Sequence, residues 1–225
     1  MNPRQLLSRV WDIAEFHALQ KKFASIQGWL DDVEGYALLL LAAEGPGVGA
    51  IVEIGSYMGR STAFLAAGAK RAGRERVTAV DHFKGSPEHQ AGKSVESKVL
   101  LAEGTTLHRF QKNMVRMGLE DYVNTIVGTS EEAVRNWTDP VRLLFIDADH
   151  SYAASKGDFE LWSPFVVPQG VVCFHDINHW PGVTQFYREL MGSTTDYREI
   201  ATVRSTKVIQ RRARPSKQEK LGNAS

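Results

Sequence analysis

Scarcities exclude more here than abundances suggest. Cysteine occurs once in 225 residues, at Cys173. A single thiol excludes an internal disulfide and a cysteine-built zinc site, and it fits a reducing compartment. Apolar runs are short. The longest, Tyr36–Ala43, falls far below the ~18 residues expected of a membrane span. Neither sign of charge dominates: 27 Lys and Arg against 26 Asp and Glu leave a net charge of +1, which argues against nucleic acid or an acidic membrane as partner. Asp12 and Glu15 stand where a signal peptide would have its apolar core, so the expectation is a cytoplasmic protein. The dinucleotide fingerprint G-x-G-x-x-G is missing too, because Tyr57 takes its second glycine position. An aromatic there leaves less room for a pyrophosphate and speaks against a nicotinamide oxidoreductase.

What is present is a repeated β-α alternation. Ala50–Ile54 is an apolar run that ends at Gly55, followed by Gly59 and a helical stretch, which reads as strand, tight turn and helix start. Further strands are expected at 76–80, 122–127, 141–146 and 171–174, with helices at 105–117, 131–137, 153–163 and 182–191. Segments 198–203 and 207–210 would close the sheet as a hairpin. The alternation predicts an α/β fold with a doubly wound, Rossmann-like, seven-stranded and mostly parallel sheet. Residues 1–45 are expected to form a helical lid or cap, with a second helix at 33–44 capped by Asp31 or Asp32. Residues 46–210 would be the catalytic domain, and 211–225, which lack apolar content, a disordered tail. Residues 84–104 interrupt the rhythm and read as a lid, in which His89 and Lys93 are expected to be solvated.

Ligands bind at the carboxyl ends of the strands in such sheets. Glu53, acidic on an apolar strand just before the turn, is expected to face a small molecule, with an ammonium group as one option. Asp81 ends the second strand 26 residues after Gly55, a spacing that suits an acceptor for ribose hydroxyls. Asp147, Asp149 and His150 follow the fourth strand, and His175 and Asp176 follow the fifth. Carboxylates gathered with no lysine or arginine nearby in sequence repel one another, and a divalent cation would relieve this. Oxygen ligands suit Mg²⁺, while an imidazole would tilt the site towards Mn²⁺.

Three motifs in order carry a family resemblance over residues 28–210. Gly55-Ser56-Tyr57-Met58-Gly59-Arg60-Ser61 resembles the G-x-Y-x-G-x-S turn of cation-dependent, S-adenosylmethionine-using O-methyltransferases of the catechol type. Asp147-Ala148-Asp149-His150-Ser151-Tyr152 and Phe174-His175-Asp176 resemble the small bacterial branch, which includes macrolide-sugar and other glycosyl O-methyltransferases. The resemblance implies the class I methyltransferase fold. It implies that Glu53, Gly55, Ser56, Tyr57 and Ser61 hold the methionine part of S-adenosylmethionine, that Asp81 takes the ribose, and that His82 and Ser130 flank the adenine. Asp147, beside the donor, and Asp176 would bind the metal. His175 replaces a carboxylate of better-known branches as third ligand, with Asp149 or water as stand-in. His150 occupies the place of the catechol-type lysine base.

A sugar hydroxyl ionises too weakly at neutral pH to attack unaided. A bound cation lowers its pKa, and a neutral histidine then takes the proton. The expected acceptor is a saccharide or glycosylated small molecule lined by Trp29, Tyr152, His179 and Trp180. A phenolic or catechol acceptor, or a non-catalytic S-adenosylmethionine-binding protein, is the alternative. No nucleic-acid or membrane partner is expected, and a homo-oligomer is left open.

Overall fold

Strand β1 (Ala50–Ile54) is buried along nearly its whole length, because a central parallel strand is covered by helices on both faces. The computed structural model describes residues 3–213, with side chains from residue 12 onward. Around β1, five parallel strands stand in the order β3 (Val123–Val127), β2 (Val77–Asp81), β1, β4 (Val141–Ile146), β5 (Val166–Phe174). The antiparallel β7 (Thr206–Arg211) and then β6 (Tyr197–Val203) complete the seven-stranded sheet. The expected fold class is thereby met.

Helices α1 (Pro3–Phe23), α2 (Asp32–Glu44), α3 (Arg60–Ala72) and α5 (Leu107–Met117) carry side chains into one core layer with Phe64, Phe110 and Phe145. On the other face, α7 (Tyr152–Trp162) and α8 (Pro181–Ser193) pack Phe159, Trp162 and Phe186 against Phe174. The expected N-terminal cap is fastened by Arg60, which donates to the carbonyls of Phe23, Ile26 and Leu30 and pairs with Asp32. No helix among the described residues is long and apolar enough to cross a membrane.

Several boundaries differ from expectation, β5 starting at Val166 and not at 171 among them, and two have a visible physical cause. The helix expected at 131–137 is the short α6 (Ser130–Val134), which starts a residue earlier because Thr129 caps it, its hydroxyl accepting from the Glu132 amide. Arg211 belongs to β7, where it donates to carbonyls of the 163–166 turn. The rest of the expected tail, from residue 214, lies outside the described residues. Between β2 and α5 the expected lid contains a 3₁₀ turn at Pro87–His89 and the short helix α4 (Lys98–Glu103).

Candidate active site

The chain leaves β1 in one direction across the sheet and β4 in the other, so the ends of these neighbours open a crevice. Backbone hydrogen bonds draw the strand ends together. Gly55 donates to Val80 at 2.9 Å, Asp147 to Ile54 at 2.9 Å, and His175 to Ile146 at 3.2 Å. Gly55 has φ +89°, and a Cβ there would lie 2.1 Å from the Asp147 carbonyl oxygen. Only glycine lets β1 turn this close to the end of β4.

A cavity of about 710 Å³ fills the crevice. Gly55, Ser56, Tyr57, Ser61, Asp81, His82, Ser130, Asp147, His150, His175 and Asp176 all line it, as do Trp29, His179 and Trp180. Glu53 does not. Its side chain is wholly buried beneath the start of α3, where one oxygen accepts from the hydroxyls of Ser56 and Thr62 and the other has no partner. Burial, only partly offset by those hydroxyls and Ser61, pushes its pKa up to about 7. Glu53 therefore supports the glycine turn from below, correcting the expectation that it faces the ligand. Tyr152 is corrected as well, since it points along α8 and donates to the exposed Glu189.

Asp81 clamps the turn from the other side. One carboxylate oxygen accepts from the amides of Ser56 and Tyr57 at 2.8 and 2.7 Å, and the other from Phe83 at 2.6 Å. Each carboxylate oxygen has two lone pairs, so one lone pair of Asp81 remains free toward the cavity. Tyr57, itself at φ +48°, hydrogen-bonds Ser97 of the lid at 2.6 Å. It also packs at a tilt against Trp29 and stacks with His89. His89, expected in solvent, is buried because the Trp29 ring covers it at 4.7 Å.

The polar clusters of β4 and β5 meet at the other end. Oxygens of Asp147 and Asp176 and a ring nitrogen of His175 all lie within 4.8 Å of one another. His175 Nδ1 is 3.0 Å from Asp147 and 3.5 Å from Asp176. Among the described residues, the cationic partners of these two carboxylates are histidines, never lysine or arginine. His150 stacks on Trp180 at 5.0 Å. Its Nδ1 lies 2.6 Å from Glu88 of the lid. Its Nε2 faces Asp176 at 3.2 Å and Asp147 at 3.7 Å, yet is buried without a well-formed hydrogen bond. Burial lowers the His150 pKa, but the carboxylates of Asp147, Asp176 and Glu88 outweigh it and hold it at about 11. Burial raises Asp176, but His150, His175 and His179 prevail and bring it down to about 2.

Two carboxylates, one imidazole nitrogen and an orphaned second imidazole fit a divalent cation with open positions, and the imidazoles favour Mn²⁺ over Mg²⁺. Asp149 instead accepts from the Ser151 amide at the start of α7. Three contributors were not singled out from sequence. Glu88 sits in an irregular stretch, Glu34 shows only as a helix-start acid, and Asp158 lies inside a helix. Burial, against the opposing Ser130 hydrogen bond, raises Asp158 to about 6 beside the cavity.

A family model described as "Methyltransferase domain" matches residues 52–177. The uncharacterized protein y4gI of Sinorhizobium fredii (strain NBRC 101917 / NGR234) is 33% identical over 147 residues. That match takes in 62% of this chain, which spans only 15% of that protein's length. Among solved structures, the Bacillus cereus O-methyltransferase in complex with SAH aligns with TM-score 0.58 and 19% identity, covering 89% of this chain and 90% of the other. The apo structure of CalS11, a TDP-rhamnose 3'-O-methyltransferase of calicheamicin biosynthesis, aligns with TM-score 0.56 and 19% identity, covering 78% and 77%. At such identities the structures speak for the fold.

Proposed function

The chain belongs to the methyltransferase-domain family matched by its residues 52–177, and we propose that it is an S-adenosylmethionine-dependent O-methyltransferase acting on a sugar or glycosylated small molecule. One observation carries the reading. The glycine turn and the Asp147–His175–Asp176 cluster open into the same cavity. A donor site and an acceptor-activating site then sit at the two adjacent strand ends of one crevice.

In this reading the glycine turn, Ser61 and Asp81 hold the donor, with His82 and Ser130 near its adenine. Asp147, His175 and Asp176 hold the cation. The cofactors would supply an electrophilic methyl group and a charge that lowers the pKa of the acceptor hydroxyl. His150 receives the hydroxyl proton at Nε2, the nitrogen left without a good partner, while Glu88 holds Nδ1 and Trp180 fixes the ring plane. A base must be neutral before it acts. A cation between Asp147 and Asp176 would take over the negative charge that otherwise keeps the imidazole protonated. Trp29, Tyr57 and the lid exclude water from the donor end. A small-molecule acceptor with a ring to stack finds Trp29 and Trp180 on the cavity wall.

The test is turnover with labelled S-adenosylmethionine against a panel of nucleotide-linked sugars and phenols, with EDTA, Mg²⁺ and Mn²⁺ arms. Methylation of a sugar that EDTA stops and Mn²⁺ or Mg²⁺ restores supports the proposal. Methylation of phenols alone refutes the acceptor class, and full activity in EDTA refutes the metal.

A further inference from the structure

Glu34 lies far from the cleft in sequence and on the opposite side of His175 from the cation cluster. It begins as an ordinary helix-start residue. Asp31 and Glu34 form a capping box, the Asp31 amide donating to Glu34 Oε2 at 3.2 Å. Such boxes normally sit in water, but Glu34 is 2% exposed. Its Oε1 accepts from the amide and hydroxyl of both Ser205 and Thr206, at 2.7 to 3.1 Å. Its Oε2 also meets His175 Nε2 at 3.1 Å.

From this geometry we infer that Glu34 is a positioning residue for the cation site: it holds a proton on His175 Nε2, so that Nδ1, aimed between Asp147 and Asp176, is the nitrogen given up to a cation. The inference rests on the cation reading above. A carboxylate can only accept, so Nε2 must carry hydrogen. Without a cation Nδ1 meets Asp147 at 3.0 Å and Asp176 at 3.5 Å and carries hydrogen by the same argument, so it is the Nδ1 proton that a cation between the aspartates would displace, Nε2 keeping its own. Outer carboxylates that orient a ligating histidine in this way set its tautomer and its basicity. Glu34 is in turn fixed by the β6–β7 turn, so the last hairpin of the sheet and the first residues of α2 both bear on the cation.

Glu34→Gln separates this role from a merely structural one. The backbone amides of Ser205 and Thr206 can only donate, so the glutamine oxygen must stay with them. Its NH₂ group then faces His175 Nε2, which must give up its proton to accept, so the ring keeps the proton on Nδ1, where it obstructs a cation. The experiment titrates wild-type, Glu34→Gln, His175→Ala and Ser205→Ala proteins with Mn²⁺ by electron paramagnetic resonance, with calorimetric binding of S-adenosylhomocysteine as a folding control. ¹⁵N imidazole shifts report the His175 tautomer.

The expected result is a Mn²⁺ dissociation constant about 10–100-fold weaker in Glu34→Gln. Its His175 should lose the Nε2 proton and keep the one on Nδ1, and its S-adenosylhomocysteine affinity should be unchanged. Ser205→Ala, which leaves the His175 contact in place, should bind Mn²⁺ like the wild type. Should Glu34→Gln not fold, Glu34→Asp, one methylene too short to reach both Ser205 and His175, is expected to weaken Mn²⁺ in the same direction. Wild-type affinity in the folded Glu34 variant, or a proton kept on His175 Nε2 in Glu34→Gln, overturns the inference while the cation reading stands. Wild-type protein that binds S-adenosylhomocysteine but no Mn²⁺, or His175→Ala that binds Mn²⁺ undiminished, overturns the reading and the inference with it.

Discussion

Glu53→Gln distinguishes a carboxylate that grips the donor from one that props up the donor's turn. In the native protein burial raises the Glu53 pKa from 4.5 to about 7. Between those values the folded state holds one proton more than the unfolded state. Stability contributed by this group is therefore full below pH 4.5 and is lost as pH rises towards 7, by about 3 kcal/mol in total. Glutamine does not titrate. Its amide oxygen keeps the Ser56 and Thr62 hydroxyls, and its NH₂ replaces the oxygen that has no partner. That replacement adds an offset independent of pH. The readout is thus the change with pH of the stability difference between the two proteins, from urea unfolding at pH 5, 6, 7 and 8. The variant should gain about 1 kcal/mol per pH unit on the wild type up to pH 7 and nothing further above it. Stability curves that run parallel across this range refute the argument. Calorimetry with S-adenosylhomocysteine at pH 8 adds a second check. A charged hydrogen bond to the ligand is worth about 1.5–3 kcal/mol, so loss of more than about tenfold in affinity would return Glu53 to the cleft. Unchanged affinity keeps it beneath the turn.

Gly55→Ala puts a Cβ 2.1 Å from the Asp147 carbonyl oxygen at φ +89°. It should abolish S-adenosylhomocysteine binding and cost at least about 1–2 kcal/mol of stability from the left-handed backbone alone, read by calorimetry and denaturant unfolding. His150→Ala should lower methyl transfer by about 10²–10⁴-fold with S-adenosylhomocysteine affinity intact; full turnover with the cation bound would remove His150 as base. Tyr57→Phe deletes the hydrogen bond to Ser97, worth about 0.5–1.5 kcal/mol. Hydrogen exchange across residues 86–97 should accelerate by a few-fold, and unchanged exchange would mean that this contact does not hold the lid.

The central strands β1 and β4 were legible because each is a short apolar run closed by glycine or acid, Ala50–Gly55 and Val141–Asp147. The donor turn and the two polar strand ends were legible for the same reason, since topology alone carries them to one crevice. The side-chain direction of Glu53 was not. A strand buried on both faces lacks the alternation that tells inside from outside. His89 was misplaced because its burial comes from Trp29, a residue 60 positions earlier in the chain. Glu34 reads as a helix cap, and its bonds to Ser205 and Thr206 span more than 170 residues. Glu88 reaches His150 only once the lid is folded over β4. Contacts of this range leave no local pattern to read.

The most direct measurement is a crystal of the protein grown with S-adenosylhomocysteine and Mn²⁺, with anomalous scattering collected for manganese. One peak bonded to Asp147, Asp176 and His175 Nδ1, with the nucleoside lying over Gly55 towards Asp81, is the predicted result. A nucleoside in that place with no peak between the two aspartates, or a peak held by other residues, would contradict it.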